Sequence, residues 1–143
     1  MKKMIMGLIC LVAFSNSAIA RNDLLTYQFS AAVEYGYQEG ILDPSIKYYL
    51  AGQDHEKVKQ SHGVFKSNKK TNSVGKDDKK ACDWVLLSTL KSFQERAKSL
   101  GANAVINIKS NYKNREFVSN EVYQCGAGNI LTGVALKGEV VAL

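Results

Sequence analysis

Six apolar residues at helical spacing constrain this chain more than any other feature in it. Cys82, Leu86, Leu90, Phe93, Ala97 and Leu100 follow one another at intervals of four, four, three, four and three, which aligns them as one stripe along an α-helix. The pattern predicts a helix from Asp78 to Leu100. Asp77 and Asp78 suit its positive end as cap or first-turn residues, and Lys98 suits its negative end. Gly101 stands where a left-handed C-terminal cap is needed. Trp84, Val85 and Leu87 broaden the stripe, so the helix is expected to be covered on more than one side.

Strand patterns surround this helix. Tyr27, Phe29, Ala31, Val33 and Tyr35 alternate with Gln28, Ser30, Ala32 and Glu34, which predicts a strand with one buried face. Gly36 and Gly40 break it, and Asp43-Pro44 marks a turn before a second strand, Ile46 to Leu50. Ala51 to Ser61 is polar and reads as a loop, followed by a further strand from His62 to Lys70. Beyond the helix, Ala104, Ile106 and Ile108 form the buried face of another strand, with a polar turn at Asn114 leading into Phe117 to Cys125. After a turn at Gly126 to Asn129, the last strand places Ile130, Thr132, Val134, Leu136, Val140 and Ala142 on one face, with Lys137 and Glu139 on the other. The expected fold is α+β: an antiparallel sheet of five or six strands packed on one long helix.

The first twenty residues read as a secretory signal peptide. Lys2 and Lys3 form a positive start, Met4 to Phe14 an apolar run, and Ala18-Ile19-Ala20 a cleavage site. The run is too short for a permanent membrane helix, which needs about 20 apolar residues. Ile9 sits where a lipoprotein signal ending at Cys10 would need a small residue. Cleavage is therefore expected after Ala20, leaving one exported domain, Arg21 to Leu143, periplasmic or secreted, without a transmembrane segment. Such a compartment disfavours ATP-dependent and DNA-directed chemistry. The formal net charge of +6 falls to +4 without Lys2 and Lys3, a mildly basic balance. Cleavage also removes Cys10, so Cys82 and Cys125 remain, and an oxidising compartment allows them one intramolecular disulfide. That bond would staple the start of the helix to the sheet.

The junction Ala97-Lys-Ser-Leu-Gly-Ala-Asn-Ala-Val-Ile-Asn-Ile108 resembles the helix-to-strand junction of YbjQ-type domains and of the RcsF envelope stress sensors. More of the chain is similar to a group of small exported bacterial proteins, through Ala81-Cys82-Asp-Trp84, Gly101 to Ile108, Tyr123-Gln-Cys125 and Gly133-Val-Ala-Leu-Lys-Gly138. Members of that group often carry the label "excinuclease ATPase subunit". The residues here do not support that activity: Gly75-Lys76-Asp77 lacks the hydroxyl residue and the upstream glycine of a phosphate-binding loop, and there is no Cys-x-x-Cys. The resemblance to the stress sensors implies a part in envelope maintenance or stress sensing.

The candidate sites are few. Asp54-His55-Glu56 with His62 is the one metal-like cluster, and its irregular spacing defines no ligand geometry. A secreted hydrolase or metal-binding protein using His55 and His62 is the alternative class. Gly126-Ala127-Gly128 leads into a strand, not a helix, and reads as a turn. No nucleophile, base and orienting group are readable together, so no catalytic residue is assigned. No cofactor is expected. Asn103 and Asn107 suit backbone capping at the junction after Gly101. Lysines are dense between Lys57 and Lys80, with Lys66, Lys69 and Lys70 at the centre. Export and the scarcity of aromatics argue against nucleic acid, so these three are candidates for an anionic envelope component. The sequence-level reading is a non-enzymatic binding or interaction module, its partner an envelope protein or anionic envelope component.

Overall fold

The computed structural model describes residues 21–143; the proposed signal peptide, Cys10 and the cleavage site after Ala20 lie outside the described residues. The chain runs β1 (Asp23–Gln28), α1 (Phe29–Gln38), β2 (Lys47–Leu50), β3 (Gln60–Asn72), α2 (Asp78–Ser99), β4 (Ala104–Ser110), β5 (Val122–Ala127) and β6 (Leu131–Ala142). The fold is α+β, a curled mixed sheet with two helices and one disulfide. None of the helices in the described residues is long and apolar enough to cross a membrane.

Helix α2 forms as its stripe demands. Cys82, Leu86, Leu90, Phe93 and Ala97 are buried. The Asp77 side chain accepts the Lys80 N–H at its start, and Gly101 takes the left-handed conformation just past its end, at φ +68°. Val85 and Leu87 are buried as well, Leu87 where α1 crosses the helix at Gly36. Trp84 is not buried: it is 56 % exposed.

The strand expected from Tyr27 to Tyr35 is instead the end of β1 followed by α1. Residues at i and i+4 satisfy alternation as well as helical spacing, so Phe29 and Val33 fit both. The full buried set, Phe29, Ala32, Val33 and Gly36, is one helical face. Gly36 is needed at the crossing, since a Cβ there would lie 2.7 Å from Leu87 Cδ2.

Strand β6 is the hub of the sheet. It pairs with β3 from Asn72↔Leu131 to Gln60↔Ala142. It also meets β5 near its start and β4 near its end, so the sheet forks there. Strand β1 extends the β5 branch and β2 the β4 branch. The wholly antiparallel sheet is corrected at β2, which runs parallel to β4: the connection 51–59 brings the chain back to the end where β2 began, and β3 and α2 then run out and back before β4 starts there. Helix α2 lies over β3 and β6, and the main core fills the space between.

Three boundaries also differ from expectation. Ile106 and Ile108 do not share a face, because the register with β6 shifts between Ile106 and Lys109 and Asn107 adopts φ +50°. Ile106 joins Ala104 and Val141 in a small outer cluster, whereas Val105 and Ile108 enter the main core. Strand β5 begins at Val122 and includes Gly126 and Ala127, while Phe117 makes an isolated bridge to Ser110. Ile130 precedes β6 and is exposed.

Cys82 and Cys125 are disulfide-bonded, with Cα atoms 5.9 Å apart. Both are fully buried, one a full turn into α2 and one in β5. The bond ties the helix start to the β5 branch of the sheet.

Candidate functional site

The start of α2 is held from several directions. Ser73 Oγ donates to the Gly128 carbonyl at 2.8 Å, and the Ser73 N–H donates to the Ile130 carbonyl at 2.8 Å. Asn72 Oδ1 accepts the Val74 N–H at 2.9 Å. The Arg21 guanidinium pairs with Asp78 and, at 2.7 Å, with Asp23. These ties, with the disulfide one turn in, make the first two turns of α2 a rigid wall.

Against that wall α1 leaves a groove of about 480 Å³. Ala31, Ala32 and Tyr35 line it from α1, and Ala81, Trp84 and Leu87 from α2. Leu87 is buried, whereas Tyr35 is 53 % exposed and Trp84 56 %, so two aromatic rings stand open along an alanine-lined trough. Small side chains on both helices create the space, because alanine cannot fill the gap between them.

Charged groups at the mouth are unequally committed. Asp83 accepts the Tyr123 hydroxyl at 2.6 Å and the Lys79 ammonium at 2.5 Å. The Lys79 ammonium also lies 5.9 Å from the Tyr27 ring centre. Burial, reinforced by the Asp83 carboxylate, pushes the Tyr123 hydroxyl well above the usual tyrosine range. Asp77 is occupied as the helix cap. Lys76 and Lys80 border the groove and form no ion pair among the described residues. Among the described residues, those lining the groove include no Ser, Thr, Cys or His. What it offers is apolar surface, two rings and two uncommitted cations.

Comparison of the chain with protein-family models, curated proteins and solved structures returns no match.

The residues singled out from the sequence lie elsewhere. Ser67 of β3 donates its hydroxyl to the Thr89 carbonyl of α2, and the Phe65 ring lies under Arg96. Alternation therefore places Lys69 on the helix side of β3, and Lys66 and Lys70 on the outer side. Lys66 is directly opposite Lys137, and Lys137 opposite Lys109, a row of three lysines across β3, β6 and β4. Glu116 pairs with Lys137 and lies 3.8 Å from Lys109. Its hydrogen bond to Lys137 holds its carboxyl below the usual range.

The His55 ring packs 5.7 Å from Tyr49, with Nδ1 2.7 Å from the Glu56 carbonyl, whereas His62 lies in β3. No three His, Cys, Asp or Glu side chains come together as a metal-ligand set among the described residues. Asn103 Oδ1 accepts the Leu143 N–H at 2.7 Å, tying down the C-terminal residue. Asn107 forms the bulge that turns β4.

Sequence reasoning missed the groove, although part of the signal was present. Trp84 follows Cys82 by two residues, about 200° around a helix and opposite the stripe. Its exposure corrects the expectation that Trp84 broadens the buried stripe. The companion wall has no local signal, because the alternation from Tyr27 to Tyr35 predicts a strand where α1 stands.

Proposed function

We propose that this chain, exported and cleaved after Ala20, is a non-enzymatic binding module of the bacterial envelope, working in envelope maintenance or stress sensing. The groove between α1 and α2 is its ligand site. The observation that carries the reading is the groove itself: an apolar trough with exposed Trp84 and Tyr35 on rigid helical walls. Concave, mostly apolar sites with a few placed polar groups are where proteins hold small ligands. The buried Cys82–Cys125 bond supports an oxidising compartment. The lysine row of the outer sheet face offers a second, weaker attraction to anionic envelope material, already partly neutralised by Glu116.

The test is native mass spectrometry of protein isolated from the periplasm of cells expressing the full chain. Wild-type protein is expected to begin at Arg21 and to carry a small-molecule adduct. Ala31→Phe, which fills the groove from an exposed position, is expected to lose the adduct while keeping its melting temperature. Protein without an adduct, or the same adduct on both forms, would overturn the groove as the ligand site.

A further inference from the structure

The chemistry of the groove narrows what can occupy it; this step rests on the groove being the ligand site. Both walls are helical, so beyond the first turn of α2, where Asp77 accepts the Lys80 N–H, their backbone N–H and C=O groups are satisfied internally. The lining side chains present alanine methyls, Leu87 and two rings. An extended peptide laid there would leave its own backbone groups unpaired, at a cost comparable to lost hydrogen bonds. A hydrocarbon chain makes no such demand. A second copy of the protein paired groove to groove about a two-fold axis is disfavoured, because its identical lysine rim would meet this one. The volume of about 480 Å³ lies inside the range of roughly 300–1,000 Å³ typical of small-ligand sites.

The rim selects the head of that ligand. Of the five charged residues on the groove, Lys79 and Asp83 pair with each other and Asp77 is spent on the helix cap. Lys76 and Lys80 remain, at the positive end of a 22-residue helix. We infer that the groove binds a single-chain anionic amphiphile, with its acyl chain between Trp84 and Tyr35 and its acidic head at Lys76 and Lys80.

Trp84 is the one tryptophan in the chain, so its fluorescence reports this site alone. Monomeric dodecyl phosphate, added to periplasm-purified protein stripped of adduct, is expected to shift the emission to the blue with saturation. Dodecyl maltoside, with the same tail and a neutral head, is expected to bind about tenfold more weakly, the equivalent of one charge-assisted hydrogen bond. Inorganic phosphate alone is expected to leave the emission unchanged. Lys76→Gln/Lys80→Gln is expected to bring dodecyl phosphate down to the affinity of the maltoside and to leave the maltoside unaffected.

Equal affinity for the two amphiphiles in wild-type protein would overturn the anionic head. An emission shift with phosphatidylglycerol vesicles but not with the monomer would replace the inference with membrane docking. No shift with any lipid would remove the acyl occupant. The binding-module reading would still stand if Ala31→Phe abolished a native adduct of another kind, so the two failures are distinguishable.

Discussion

At the scale of single residues, satisfied polar groups mark where this sequence and its fold agree. Thr89 sits in the buried face of α2, yet its hydroxyl donates to the Val85 carbonyl at 2.8 Å and reaches the Val134 carbonyl at 3.3 Å. Thr132 has no such outlet: it is fully buried, and its Oγ1 lacks a hydrogen-bond partner among the described residues. A buried hydroxyl without a partner costs about 1–3 kcal/mol by mutational measure. Thr132→Val keeps the shape and removes that cost, so we expect the variant to be more stable by up to about 1 kcal/mol in urea titration. A loss of stability instead would mean that the hydroxyl finds a partner in solution. Asn107 shows the other side of residue-scale reasoning: its left-handed backbone carries the bulge on which the facing of Ile106 and Ile108 depends.

At the scale of elements, α2 is the piece that its own sequence specifies almost completely, from the Asp77 cap to Gly101. Its C-terminal end is tied to the α1–β2 connection by Lys98, whose ammonium lies 2.7 Å from the Asp43 carboxylate. That contact, with the Ser45 N–H at 2.9 Å, holds Asp43 well below the usual carboxylate range. A depressed folded-state pKa contributes stability that is fully present above the unfolded value of about 3.9 and is lost as pH falls through the folded value. Melting temperature is therefore expected to fall as the solution is acidified below about pH 4. Lys98→Met should flatten this acid limb by the same amount that it lowers stability near neutrality, about 0–1 kcal/mol for so exposed an ion pair. An acid limb as steep in the variant as in the wild type would assign the effect to other carboxylates. Element α1 is the opposite case: its ten residues are ambiguous alone and take their conformation from packing on α2.

At the scale of the whole molecule, one covalent link joins the start of α2 to the β5 branch of the sheet, beside the hydrogen bond from Tyr123 to Asp83. The sheet forks at β6, and Cys125 lies on the β5 branch while α2 rests mainly on β3 and β6. Closing a loop with a separation of 43 residues stabilises a fold by about 4 kcal/mol in the chain-entropy model. For a domain of this size, reduction is expected to lower the melting temperature by on the order of 10–15 °C. Native, unreduced protein should show no alkylatable thiol at Cys82 or Cys125; two reactive thiols would contradict the bond. The same staple steadies the wall that carries Trp84, so reduced protein should also show a broader, red-shifted tryptophan emission.

What the sequence determined by itself was local: α2 with both its ends, the presence of strands from β3 onward though neither the facing of β4 nor the bounds of β5, and the pairing of Cys82 with Cys125. These follow from periodicity and capping, which act between residues a few positions apart. The α+β class was legible for that reason. Three features were decided only by tertiary structure. The segment from Phe29 became a helix because α2 offered a surface for its i, i+3, i+4 face. The direction of β2 and the bulge at Asn107 were set by pairing with strands distant in sequence. Trp84 and Tyr35 came to flank one groove because two helices with residues 39–77 between them were brought together by the core. A site made between elements has no local pattern: its residues are ordinary in their own segments, and only their juxtaposition gives them chemistry.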